Sequence, residues 1–367
     1  MSALELSGPL APPQRGLDAR ALARRAALPA LVGLCVASAA WSLTTGALAI
    51  PASHLVELVA GRCGEAGAAC TAQQEAVIMA IRAPRVALGL ITGAALGCAG
   101  AALQGIFRNP LADPGLIGVS SGAMIGAVGG IFALSRLDLA MLGAAGREWM
   151  VPGGAFLAGL LAVWLVWRLS TRGGHTSVGA MILVGVAVNA LAGALLGLVI
   201  HVADDAELRT LTAWSLGSLG SARASMLPAP LLATLAALAL IVPQAQNLNA
   251  LSLGESAAVS LGVPLTYVRR VVVGASALAV GATVAFTGLI GFVGLIVPHA
   301  LRLVLGPDHR LLLPSSALAG AALLVAADTL ARTVAAPAEL PIGVVTALCG
   351  APLFIGLLAR GRSAWSA

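Results

Sequence analysis

Lysine is absent from this 367-residue chain, and all 21 of its cationic side chains are arginine. A nucleotide-binding P-loop needs the Lys of G-x-x-x-x-G-K-[ST] to reach the phosphates, so the polypeptide cannot by itself be that kind of ATPase. Charge of either sign is scarce: 10% of residues carry it, against roughly 25% in a soluble domain. The net charge of +6 does not point to nucleic acid. Its arginines stand singly between long apolar runs and form no continuous basic face. The five histidines, His54, His175, His201, His299 and His309, are scattered and form no H-x-x-x-H pair, so neither a metal site nor a catalytic constellation is expected.

What is present is apolar: 59% of the residues are hydrophobic and 44 are glycine. Apolar runs fall near 28–50, 76–106, 115–135, 151–168, 178–200, 228–244, 266–287, 289–305, 311–331 and 341–359. Each is close to the roughly 20 residues that cross roughly 30 Å of hydrocarbon. The expected fold is therefore all-α, a polytopic membrane protein of about ten transmembrane helices. An even number of crossings puts both termini on one side. With the N-terminus inside, Arg15, Arg20, Arg24, Arg25, Arg108, Arg168, Arg172, Arg269, Arg270, Arg302, Arg310, Arg360 and Arg362 lie in the cytoplasm, as the positive-inside rule prefers. The chain then divides into a cytoplasmic N-terminal segment, 1–27, and a single transmembrane domain, 28–360. The run 28–50 exceeds the 7–15 residues of a signal-peptide core and is expected to be a retained span.

Cys35, Cys98 and Cys349 lie inside apolar runs and read as small core residues. Cys63 and Cys70 flank GEAGAA in a polar loop, where a local disulfide and two unpaired thiols are both open. Asp328 is the only acid within the expected spans, a thin basis for an ion-coupled carrier.

Three arginines oppose the topological bias. Arg82 and Arg85, in RAPR, stand at the outer end of the second span and Arg332 at the outer end of the ninth. Arg332 has Asp328 four residues before it, a favourable helical spacing, and Arg82 and Arg85 have the alternative of snorkelling to the interface. An outer basic patch would also suit an acidic soluble partner. Small residues recur every fourth position: Gly89, Gly93, Gly97, Ala101 and Gly105 in the second span, and Gly185, Asn189, Gly193 and Gly197 in the fifth. Such stripes let helix backbones approach closely. Asn189 is the exception, because an amide in a stripe of small residues suits a water-filled path. PRVALG at 84–89 and RRVVVG at 269–274 open helices from opposite sides, as an inverted repeat would. RNPLADPG at 108–115 must be an ordered break between helices. LNALSLGESAAVSLGVP at 248–264 is too polar to span; its Leu251, Leu253, Ala257 and Leu261 predict a short helical piece outside the bilayer, suited to docking on another protein.

The stretch RAPRVALGLITGAALGCAGAALQGIFRNPLADPGLIGVSSGAMIGAV closely resembles the hallmark region of the bacterial iron-chelate, haem and cobalamin permeases of ABC importers. TGLIGFVGLIVPHALRLVLGPDHRLLLPSSALAGAALLVAADTLAR and AELPIGVVTALCGAPLFIGLL resemble the other hallmark of those type II importers, and 248–264 resembles their coupling segment. The resemblance implies a multi-pass inner-membrane subunit working as a homodimer with two cytoplasmic ATPase subunits and a periplasmic binding protein. It implies no permanently bound cofactor or metal, with ATP held by the partner. It also implies that Arg82, Arg85 and Arg332 receive acidic residues of the binding protein, and that Asn109, Leu111, Thr176 and Ser177 narrow a cytoplasmic gate. Thr176 and Ser177 have helix capping as a second use. Leu251, Gly254, Glu255, Leu261 and Gly262 would sit in a cleft of the ATPase, and Gly185, Asn189 and Gly193 would line the path. ELRTLTAWSLGSLGSA at 207–222 looks most like the haem-importing branch, with ferric siderophore and cobalamin as alternative cargoes. His201, at the outer end of the fifth span, could touch a porphyrin iron or simply be solvated. Two other classes stay open: an ion-coupled secondary carrier and a membrane enzyme acting on a porphyrin.

Overall fold

A computed structural model describes residues 15–48, 50–61, 63, 70–137, 140–173 and 175–365. Residues 1–14 of the N-terminal segment and 64–69 of the Cys63–Cys70 loop lie outside the described residues. In chain order the helices are α1 (Arg15–Thr44), α2 (Ala52–Val59), α3 (Ala72–Val77), α4 (Ala83–Phe107), α5 (Val119–Arg136), α6 (Gly143–Ser170), α7 (Val178–Val202), α8 (Asp205–Leu216), α9 (Pro228–Ile241), α10 (Ala245–Ser252), α11 (Glu255–Ser260), α12 (Leu265–Thr287), α13 (Val293–Leu305), α14 (His309–Val334) and α15 (Ile342–Trp365). Two-residue strands, β1 (Thr171–Arg172) and β2 (His175–Thr176), pair antiparallel between α6 and α7.

Among the described residues, eight helical stretches are long and apolar enough to cross a membrane, and two shorter apolar helices, α13 and the start of α15, stand where the other two expected spans fall. The loops sort into two groups. Residues 45–48, 50–61, 203–226, 288–292 and 335–341 gather at one end, taken as outer; 108–118, 171–173, 175–177, 248–264 and 306–308 gather at the other.

The sequence boundaries shift where local chemistry overrides hydropathy. Nothing breaks the helix between Arg15 and Arg25, so α1 begins well before the apolar run at 28, and it ends at Thr44 instead of 50. The expected span 289–305 is cut to the 13 residues of α13, because Gly288 and Phe292 both take positive φ. At 1.5 Å per residue it covers about 20 Å and so reaches only part of the way across. The second span runs as one stretch, Ala72–Phe107, through a π-helical turn at Ile78–Arg82. It stops where Arg108 adopts the left-handed conformation ahead of Pro110. RNPLADPG is an ordered break: Asp113 accepts a hydrogen bond from the Gly115 amide at 2.8 Å and caps a single 3-10 turn, Pro114–Ile117.

Helix α4 is the centre of the bundle, with 83% of its membrane window buried, against 72% for α12, 67% for α14 and 11% for α1 and α7. Its small residues make this possible. A Cβ on Gly93 would strike the Gly320 backbone of α14, one on Gly97 the Ser316 carbonyl, and one on Gly100 the Gly294 carbonyl of α13. Backbones at that separation gain dispersion along their length, which is the main attraction between helices when lipid is the solvent. Leu157, Leu161, Trp164, Leu183, Leu198 and Leu232 point outward from α6, α7 and α9, toward lipid or a further chain.

Candidate functional site

At the outer end the three arginines converge, but they do not present free charge. Arg85 is 8% exposed. Its Nε donates to Asp328 Oδ2 at 2.9 Å and one terminal nitrogen to Oδ1 at 2.9 Å, while the other reaches both Glu339 oxygens at 3.1 and 3.0 Å. Arg82 donates to the Leu43 carbonyl at 2.6 Å and to the Leu48 carbonyl. Arg332 donates to the hydroxyl of Ser42 at 2.8 Å and to the Ser42 carbonyl. The i,i+4 partner expected for Arg332 is a poor one, since Asp328 Oδ2 lies 3.9 Å from its Nε. Snorkelling is also absent: Arg82 is 5% exposed and ties the end of α1 to α4. Gly46 makes room for this, at φ +151, because a side chain there would meet the guanidinium groups of Arg82 and Arg332. Only Glu339, with a side chain 51% exposed, is open to exchange.

The outer end also holds the segment that carries the cargo resemblance. Helix α8 opens on a capping box between Asp204 and Glu207. Glu207 is held by Arg136 at 2.9 Å, and its carboxyl falls to about 2, first because of the Arg136 hydrogen bonds and then that of Ser135. Beyond α8 the Ser218 amide donates to the Thr287 carbonyl at 2.7 Å, which locks the 217–222 turn against α12. Gly220, Ser221 and Ala222 line an outer cleft of about 370 Å³ with Glu148 and Arg223, which pair at 2.8 Å. His201 is exposed at the outer end of α7. Cys63 and Cys70 are joined in a disulfide.

The expected path residues separate. Gly185 is buried against the Leu116 carbonyl, whereas Gly193 and Gly197 face open space, so close packing accounts for the first and not for the others. The Asn189 amide is committed: its Oδ1 accepts from the Ser121 hydroxyl at 2.5 Å and its Nδ2 reaches the Gly115 carbonyl at 3.4 Å. Those bonds fasten α7 to α5 and to the break after α4.

At the inner end, Asn109 closes its own turn by accepting from the Leu111 amide at 2.9 Å, leaving Leu111 38% exposed. Ser177 caps α7 by accepting from Ala180, and Thr176 Oγ1 meets Thr171 Oγ1 at 2.9 Å across the hairpin. Capping and a gate are compatible uses. The 248–264 segment is a helix–turn–helix, α10 and α11, bent at Gly254 with φ +115 and closed at Gly262 with φ +80. Its expected apolar side is split. Leu248 and Leu251 are 0% and 1% exposed, and Asn249 holds Asp308 at 2.7 Å, so α10 is bolted to the bundle. Leu251 is thus core and cannot enter a partner's cleft. Leu253, Val259 and Leu261 point the other way, 71%, 59% and 65% exposed. The three form an exposed apolar ledge, and the sequence carries no signal for Val259 in it, because its six-residue spacing from Leu253 across a glycine bend follows no regular period.

Eight apolar spanning stretches with two shorter apolar helices among the described residues, no lysine for a P-loop and an exposed apolar ledge at one end fit a membrane permease subunit. The FecCD transport family matches residues 34–360. The chain belongs to that family. The hemin transport system permease protein HmuU of Yersinia pestis is 44% identical over 289 residues, covering 77% of this chain and 83% of that protein. The cobalamin import system permease protein BtuC of Halobacterium salinarum is 43% identical over 284 residues, 77% and 73% of the two chains. The vitamin B12 import system permease protein BtuC of Escherichia coli O9:H4 is 42% identical over 294 residues, 80% and 86%. A solved inward-facing ABC transporter, assigned to the metal-chelate type, superposes with a TM-score of 0.78 at 32% identity, covering 91% of this chain and 98% of that one.

Proposed function

We propose that this permease carries haem from a periplasmic binding protein into the cytoplasm, as an inner-membrane homodimer driven by two ATPase subunits. It holds no permanent cofactor of its own, and ATP is bound and hydrolysed by the partner. The observation that carries the reading is the ledge of Leu253, Val259 and Leu261 on α10 and α11: apolar side chains so exposed at the aqueous end of the bundle need a protein to cover them. With no lysine for a P-loop, the covering subunit supplies the nucleotide site. Gly254, Glu255 and Gly262 shape the ledge, while Leu251 anchors it from behind.

Identity alone does not choose the cargo, since the hemin and cobalamin permeases stand at 44% and 43%. Haem is preferred because 207–222 resembles the haem branch and its last residues line the outer cleft. Asn109, Leu111, Thr176 and Ser177 form the inner gate, and Gly185, Asn189 and Gly193 flank the path. Docking of the binding protein at Arg82, Arg85 and Arg332 takes a specific form: an incoming carboxylate replaces Glu339 on Arg85, the one partner held from solvent-exposed chain. Glu339→Gln then tightens docking, and an unchanged affinity would remove this arrangement.

Reconstitution with the cognate ATPase and binding protein, followed by uptake of haem, ferric siderophore and cobalamin in parallel, tests the whole reading. Haem accumulation only with ATP and all components is expected. Preference for cobalamin would move the cargo, and uptake that follows a proton gradient without ATP would replace the importer with a secondary carrier.

A further inference from the structure

Behind Glu255 stands a buried arginine that belongs neither to the outer cluster nor to the ledge. Arg269, in the second turn of α12, has a side chain 7% exposed and pairs with Glu255 Oε1 at 2.5 Å. Its other terminal nitrogen donates to the Thr176 carbonyl at 2.9 Å. One guanidinium therefore bridges the first residue of α11 and the last residue of the β1–β2 hairpin, which lies 93 residues away in the chain. We infer that Arg269 is the positioning residue that passes movement of α11 to the inner gate.

The surrounding contacts give the bridge a direction. Helix α10 cannot move far, because Leu248 and Leu251 are core and the Asn249 side chain is bonded to Asp308 and to the His309 amide at 2.9 Å. Gly254 frees α11 from α10 by a backbone conformation that other residues rarely adopt. Helix α11 is six residues long and buries Ala258 alone, so the Glu255–Arg269 pair is a large part of what seats it. On the far side the hairpin is two residues deep per strand, and Ser177 directly after it caps α7. Helix α7, which the hairpin leads into, is mostly unburied within the bundle, with only 11% of its membrane-crossing stretch buried. A rigid planar fork suits such a bridge, because guanidinium holds two acceptors in fixed relative orientation, which an ammonium on a flexible stem does not. Burial strengthens the contact with the Thr176 carbonyl by excluding water.

The inference rests on 248–264 being the surface the ATPase grips, and the test separates the two. Arg172, exposed in the hairpin, becomes the reporter as Arg172→Cys, after Cys349→Ala removes the exposed native thiol. Maleimide labelling of the complex in liposomes is compared with and without nucleotide. Nucleotide is expected to change the labelling rate about fivefold with Arg269 in place and to leave it nearly unchanged in Arg269→Met, while hydrolysis persists, a loss within the range seen for coupling residues. Glu255→Gln, at a half-exposed position where folding is not at stake, should blunt the response similarly. The double variant should be no worse than Arg269→Met alone, because one bridge is broken twice. A full response in either single variant overturns the relay, as does additivity, or a complex that binds the ATPase yet shows no response with Arg269 present. If instead Leu261→Arg leaves ATPase binding intact, the assignment of the gripping surface fails, and the relay fails with it.

Discussion

Arg85 and Arg269 stand at opposite ends of the bundle, each buried and each holding a carboxylate, yet they serve different purposes. Arg85 clamps Asp328, itself 3% exposed and part of α14, so the outer pair joins two central helices that already touch along their length. Arg269 clamps Glu255, 45% exposed and on a six-residue helix that little else holds. The same chemistry gives a lock where both partners are embedded and a lever where one partner rides on a movable piece. Burial of the carboxylate is what decides between them.

The sharpest way to break that contrast is Asp328→Ala. It strands a buried guanidinium beside Arg332, and a loss of about 3–5 kcal/mol is expected from removing one partner of a buried pair. Thermal unfolding in detergent would show it, and a shift near zero would mean that Glu339 alone satisfies Arg85. Next, Leu253→Asp with Leu261→Asp should weaken ATPase binding at least about thirtyfold, the scale of an interface hot spot. Co-purification measures the loss, and the unfolding midpoint should hold because both side chains already face water. Glu255→Gln, the inner counterpart of Asp328→Ala, should cost under about 1 kcal/mol, as half-exposed pairs do. A cost as large as that of Asp328→Ala would make the inner pair a lock as well.

The smallest effect is a pH response at the outer end. Glu207 titrates at about 2 when folded, below the ordinary carboxylate value. A depressed carboxyl lends stability above its unfolded pKa of about 4.3 and loses it as pH falls through the folded value. Protection of the α8 amides, corrected for the intrinsic pH dependence of exchange, should therefore fall between about pH 4 and 2 and hold from about pH 8 to 5. Glu207→Gln should abolish the response.

Hydropathy made the crossings legible, because a lipid-embedded segment must be apolar along its whole length whatever it packs against. The break at RNPLADPG was equally plain, since proline acts on its own neighbours. Local pairing was not. Asp328 has Arg332 at the helical spacing of four, yet it bonds to Arg85, 243 residues away, because helix packing brought a better-oriented fork to 2.9 Å. The glycine stripes divided in the same way: Gly93 meets Gly320 and Gly193 meets nothing, although both sit in the same four-residue pattern.

Composition and short-range order along the chain were thus sufficient for a polytopic helical permease with no lysine for a P-loop, since solvent and backbone geometry act residue by residue. Which arginine holds which acid, which leucine on α10 is anchor and which is ledge, and the bridge from α11 to the hairpin were decided only when distant helices met. Those outcomes depend on side-chain reach and burial between segments far apart in the chain, and no periodicity encodes them.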